Sequence, residues 1–188
     1  MRIISGIFRG KKILEPKDSK TRPLKDLVKE SIFNIIKHSN KFNINLSESN
    51  ILDLYSGVGS FGIECLSRGV KKVIFVENYS KVLLILKKNL ENLNLINNYQ
   101  VLEEDIENLK KTHFNEKFNI IFLDPPFKYK KLNFLLNNIY KLNIIQKKGI
   151  IILHRHKKEN NIFVENYNVI EEKKYGLSKI FFLSLTDQ

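Results

Sequence analysis

NILDLYSGVGSFGIE, residues 50–64, decides the fold of this 188-residue chain. An apolar, β-rich run stops in a cluster of glycines and resumes as a helical pattern. Gly57, Gly59 and Gly62 satisfy the spacing G-x-G-x-x-G, which lets backbone pass close to a ligand where a strand gives way to a helix. Asp53 lies four residues before the first glycine, leaving a wider loop than a pyrophosphate turn needs. Its carboxylate at the strand end suits a cation: a ligand carrying an amine and a sulfonium fits there, whereas a dinucleotide's phosphates would be repelled.

Outward from this loop the chain alternates short β-rich runs with helical patterns. Strands are expected at residues 50–55, 71–77, 99–105, 118–124 and 149–155, and helices at 60–68, 80–93 and 131–142. Leu83, Leu86, Leu90 and Leu93 form one apolar stripe at helical spacing. Such alternation predicts a mostly parallel α/β sheet with helices on both faces. After Asn160, YNVIEEKKYG and SKIFFLSL read as two strands with no helix between them, an antiparallel pair closing one edge of a seven-stranded sheet. Ahead of Asn50, RIISGIFRGKKILEP reads as a small hairpin, and LKDLVKESIFNIIKHS as an amphipathic helix burying Leu24, Val28, Ile32 and Ile35. The expected division is a basic N-terminal extension over 1–48 and an α/β domain over 49–188.

Charge supports that division. The formal net charge is +12, and residues 1–48 hold 11 Lys and Arg against 5 Asp and Glu. Half of the excess thus sits in the first quarter of the chain, as expected of a face that meets a polyanion. Cys65 is the only cysteine, which excludes an intramolecular disulfide and a cysteine-based zinc site. No signal peptide or membrane span is legible, so a soluble, cytoplasmic protein is expected.

Further acids stand at the ends of later strands. Glu77 ends the second and can accept both hydroxyls of a ribose, which does not by itself separate a dinucleotide from other adenosine cofactors. Asp105 follows the third and, with Ile106, offers an acceptor and an apolar face to an adenine. Then comes DPPF, residues 124–127, at the end of the fourth strand, which should lie beside the first. Consecutive prolines hold backbone extended and offer no N–H. The loop therefore presents acceptors, the Asp124 carboxylate and the Pro125 carbonyl, which suit an exocyclic amino group whose lone pair must be turned toward an electrophile. Pro126 keeps them in register, and Phe127 can stack on a base.

Together these features resemble an S-adenosylmethionine-dependent methyltransferase with a Rossmann-like fold. More narrowly, MRIISGIFRGKKI, the Arg22-Pro23 pair with VKESIFNII after it, LDLYSGVGSFGIECLSRG, VEN at 76–78 and DPPF are similar in order and spacing to the RsmD-type 16S rRNA guanine-N2 methyltransferases. The resemblance implies methyl transfer from S-adenosylmethionine to the N2 amine of one guanine in small-subunit rRNA, within an assembling particle, by a monomer. It implies that Asp53, Gly57 and Gly59 line the methionine part of the cofactor, Glu77 its ribose, Asp105 and Ile106 its adenine, and residues 124–127 the target base. Tyr55 and Asn78 fall in the same cofactor motifs.

Arg9, Lys11, Arg22, Lys25 and Lys29 are the candidate phosphate contacts. The chain departs from the family where Leu24, Lys25 and Leu27 follow the Arg-Pro pair, and where LHRHKK ends the fifth strand in place of an acid. His154 and His156 alternate there and are read as basic surface rather than a metal site. Competing readings are a DNA adenine or protein glutamine methyltransferase, a nicotinamide-dependent oxidoreductase and a non-catalytic RNA-binding assembly factor. The small basic extension argues against the first two, Asp53 and DPPF against the third, and the intact site against the last.

Overall fold

The computed structural model describes residues 1–16, 24–94, 98–159 and 163–186. Seven strands, β1 (Asn50–Leu54), β2 (Lys72–Val76), β3 (Tyr99–Leu102), β4 (Phe118–Leu123), β5 (Ile145–His156), β6 (Tyr167–Tyr175) and β7 (Ser178–Leu185), form one sheet in the order β3-β2-β1-β4-β5-β7-β6. The first five are parallel, and β7 runs antiparallel to both β5 and β6. The strand order reverses between β1 and β4, which opens a crevice at their carboxyl ends. Helices α1 (Asp26–His38), α2 (Ser60–Ser67), α3 (Ser80–Glu91) and α4 (Leu132–Leu142) cover the two faces.

The period of two along β1 assigns its side chains. Ile51 joins the core made with α1, α2 and α3, while Leu52 and Leu54 join the opposite core with α4. Asp53 shares the side of Ile51, so its carboxylate faces α2. Two expected strand ends move. β3 stops at Leu102 because Asp105 caps a 3-10 turn, accepting the Glu107 N–H at 2.9 Å. β5 begins at Ile145, four residues early, because it pairs with Phe118 before a register shift that carries Lys148 into the left-handed region.

Residues 1–16 form the expected hairpin with a single antiparallel bridge, Arg2 to Lys12. Their attachment is to α2 and α3. The Ile4 and Ser5 N–H groups donate to the buried Glu64 carboxylate at 2.8 and 2.9 Å, Phe8 N–H to Ser67 Oγ, and Leu14 N–H to Asn89 Oδ1. Ile3 and Ile13 lie in the same core as β1 and β2. In α1, Leu24, Val28 and Ile32 are buried as expected. Ile35 is only partly covered, and Phe33 and Ile36 take the inward positions.

Candidate active site

At the end of β1 the backbone is shaped before any ligand is considered. Tyr55, Gly57 and Gly59 have φ of 57°, 56° and 85°, all left-handed. For a tyrosine this conformation costs about 1–3 kcal/mol and persists where the surroundings impose it. Gly59 then caps α2. A Cβ on Gly62 would lie 2.3 Å from the Phe75 ring and 2.9 Å from Asp53 Oδ2, so the third glycine permits the close approach of α2 to the sheet. That approach lets Gly62 N–H donate to Asp53 Oδ2 at 2.9 Å.

Asp53 is 1% exposed, and its Oδ1 is buried with no hydrogen-bond partner among the described residues. Burial pushes its carboxyl well above the ordinary value; the Gly62 N–H opposes this, and the charges of Asp124 and Glu77 reinforce it. A buried, unpartnered carboxylate oxygen beside two further acids is the environment in which a cationic donor is stabilised, so an ammonium and a sulfonium fit this end of the crevice.

Glu77 Oε1 accepts the N–H groups of Asn78 and Tyr79 at 3.0 and 2.9 Å, and Oε2 accepts that of Gly57 at 2.9 Å. The carboxylate thereby ties the glycine loop to the end of β2 and retains one acceptor direction on Oε2 for a hydroxyl. The Asn78 side chain is exposed. Asp105 is exposed and Ile106 buried, an acceptor next to an apolar surface.

Across the crevice, Tyr55 meets Tyr129 edge to face at 5.8 Å, and Tyr129 donates its hydroxyl to Glu107 at 3.1 Å, which also pairs with Lys131 at 3.0 Å. Burial first, and then the Tyr129 hydroxyl, push the Tyr55 phenol up. Loops following β1, β3 and β4 are thus joined through side chains.

The DPPF loop is held from beneath by β5. Leu123 pairs with Leu153, so Asp124 lies beside His154, and Asp124 Oδ1 is 2.8 Å from His154 Nδ1. His154 Nε2 is in turn 2.9 Å from Ser178 Oγ. Arg155, 2% exposed, donates to the carbonyls of Pro126 and Phe127 at 3.3 and 3.4 Å and to that of Tyr129 at 3.2 Å. The Tyr129 N–H also donates to the Pro126 carbonyl. The carbonyls of residues 126 and 127 therefore turn inward, whereas those available to a substrate amine are the Pro125 carbonyl and Asp124 Oδ2, neither of which accepts a hydrogen bond among the described residues. Phe127 stands edge-on to His154 and His156 at 5.6 and 5.2 Å.

The chain matches, over residues 1–184, the family described as Conserved hypothetical protein 95. It belongs to that family. Ribosomal RNA small subunit methyltransferase D of Haemophilus influenzae is 31% identical over 179 residues, which are 94% of this chain and 90% of that protein. The Buchnera aphidicola (subsp. Baizongia pistaciae) protein of the same description is 30% identical over 182 residues, 97% and 89% of the two chains. The solved structure of yhhF from Escherichia coli is 25% identical with a TM-score of 0.83, covering 100% of this chain and 99% of that one. The fold is the Rossmann-like methyltransferase fold.

Two expectations are corrected. Lys29 is no phosphate contact: it is 0% exposed, donates to the Arg2 carbonyl at 2.9 Å and pairs with Glu64 and Asp26 at 3.7 Å. The apolar face of α1 carries it inward, where Glu64 and a backbone carbonyl receive it, and burial lowers its pKa. Of the two histidines read as basic surface, His154 is instead buried beneath DPPF, as is Arg155 next to it, while His156 is half-buried. No local signal in the sequence named the pairing of His154 with Asp124: parallel strands can pair in several registers, and the one that sets Leu123 beside Leu153 is fixed by packing. Arg9, Lys11 and Lys25 are exposed. Arg22 lies outside the described residues.

Proposed function

We propose that this chain methylates the exocyclic N2 amine of a guanine in small-subunit ribosomal RNA, using S-adenosylmethionine as donor. The observation that carries the reading is the pair of acceptors, Asp124 Oδ2 and the Pro125 carbonyl, which take no hydrogen bond among the described residues, on a proline-stiffened loop beside an acid-lined crevice. In the crevice, Asp53 would receive the ammonium of the donor, Glu77 a ribose hydroxyl, and Asp105 with Ile106 the adenine. Bound there, the donor supplies a methyl group on a positively charged sulfur.

The rest is done by the chain's own residues. Asp124 and Pro125 accept the two N–H bonds of the amine, which turns the nitrogen lone pair toward the crevice and stabilises the positive charge that develops on it. As the N–C bond forms at the expense of the methyl–sulfur bond, whose electron pair stays on the sulfur and neutralises it, the nitrogen becomes acidic and releases its surplus proton to Asp124 Oδ2 or on to water. Phe127 offers its ring to the base that has left its stack. Arg9, Lys11 and Lys25 supply phosphate contacts from the N-terminal extension. We read the enzyme as a cytoplasmic monomer that meets its RNA within a partly assembled small subunit.

The test is incubation with labelled S-adenosylmethionine and, separately, naked small-subunit rRNA, partly assembled subunits, DNA and protein, followed by mapping of the modified atom. Label on N2 of a guanine in the rRNA is expected. Label on an adenine amine of DNA or a glutamine side chain would replace the substrate in this reading.

A further inference from the structure

Beneath the acceptor pair lies a side chain that no motif announced. His154 is 5% exposed, and both its ring nitrogens are engaged, Nδ1 with Asp124 Oδ1 and Nε2 with Ser178 Oγ. Ser178 begins β7, two residues from Ile180, which pairs with His154 across the antiparallel ladder. Strands β5 and β7 and the residue just after β4 therefore contribute one side chain each to a continuous chain of hydrogen bonds ending at the substrate-facing carboxylate. We propose that His154 is a positioning residue for methyl transfer, set by Ser178 so that its Nδ1–H clamps one oxygen of Asp124 and leaves the other for the amine.

The direction of each bond follows from its chemistry. An ionised carboxylate only accepts, so the proton of a neutral imidazole must sit on Nδ1. Nε2 is then the acceptor, and only a donor facing it suits that tautomer. The Ser178 hydroxyl is such a donor, and among the described residues no carboxylate or carbonyl competes for Nε2. Without the clamp, the Asp124 carboxylate could rotate about its terminal torsion, which is broad for an aspartate, and the two acceptors would lose their mutual spacing. Other groups around the pair are Asp53 at the end of β1, whose charge is coupled to that of Asp124, Arg155 beside it on β5, and the Phe127 and His156 rings above.

The proposal rests on the amine-methyltransferase reading, and its test separates the two. In the whole protein without any ligand, nitrogen NMR of the imidazole should find the proton on Nδ1, and Ser178→Ala should weaken that preference. A proton on Nε2 in the wild type would overturn the proposal whatever the enzyme methylates. In turnover with small-subunit rRNA, His154→Phe keeps the ring's shape but removes the donor. The expected result is a fall in kcat of about ten- to hundredfold with S-adenosylmethionine affinity unchanged. His154→Asn, whose amide can place an N–H near the Nδ1 position, should recover part of the loss. An unchanged kcat in His154→Phe, or a loss that Asn does not relieve in a folded protein, would overturn it. Should His154→Phe fail to fold, Ser178→Ala decides: a several-fold fall in kcat with S-adenosylmethionine affinity unchanged supports the proposal, and no change refutes it. A wild type that methylates no amine would instead remove the parent reading, leaving the tautomer measurement to stand alone.

Discussion

Asp53 joins stability and function in one side chain. Its carboxyl is raised by burial above the value it has in an unfolded chain, so the folded state holds the proton more tightly. Stability from this group is therefore lost as pH climbs from about 4, the ordinary aspartate value, through the raised folded value, and is flat above it. Asp53→Asn removes that loss. The variant should melt no lower than the wild type at pH 8, with a stability advantage that shrinks as pH falls toward 4. It should also bind S-adenosylmethionine about 10- to 100-fold more weakly, as expected when one charge-assisted hydrogen bond is removed, and calorimetry would show it. An equal affinity would remove Asp53 from the proposed cofactor site. Asp124→Ala should behave in the opposite sense, retaining cofactor affinity while methylation falls by about a hundred- to thousandfold. Turnover at the wild-type rate would take Asp124 out of the chemistry.

At the scale of an element, β5 does two things at once. It is a central, buried strand, and its last residues build the floor of the DPPF loop. Arg155 replaces with its guanidinium the backbone donors that two prolines cannot supply, gathering three carbonyls that would otherwise compete for the substrate amine. Arg155→Met should leave these carbonyls short of donors and lower stability by about 1–3 kcal/mol, measured by denaturant unfolding. Methylation should fall about tenfold or more with cofactor affinity unchanged, because the DPPF loop is displaced and the glycine loop is not. The glycine loop is tied separately, through Glu77 and through Asp53 to α2.

The whole molecule combines a basic exterior with a site of acids. A charge of +12 draws it to polyanions, while Asp53, Glu77 and Asp124 keep phosphates out of the crevice. RNA affinity should fall with salt. Replacing both Arg9 and Lys11 by Ala should make the slope of log affinity against log salt shallower by about 0.7–0.9 for each phosphate that the variant no longer neutralises. Lys29→Met should leave that slope unchanged and lower the melting temperature instead, since Lys29 serves Glu64 and the Arg2 carbonyl. A shallower slope in Lys29→Met would reinstate it as an RNA contact. The N-terminal extension is bonded to α2 and α3 and shares their core, so its basic turn is held at a fixed place relative to the catalytic crevice.

The parallel sheet, the place of β4 beside β1, the antiparallel edge and the acids near strand ends were legible in the sequence, whereas the insertion of β7 between β5 and β6 was not, because periodicity is local and strand order is not. So was DPPF, whose prolines constrain backbone wherever they stand. What only the tertiary structure decided were the partners. Lys29 read as a solvated charge because a long cationic side chain is usually exposed, and nothing nearby in sequence names Glu64 as its partner or the carbonyls at 126, 127 and 129 as those of Arg155. His154 finds Asp124 30 residues away and Ser178 24 residues away through strand register. Burial of a polar group is set by whether distant strands bring it a partner, and that is a property of the packed sheet.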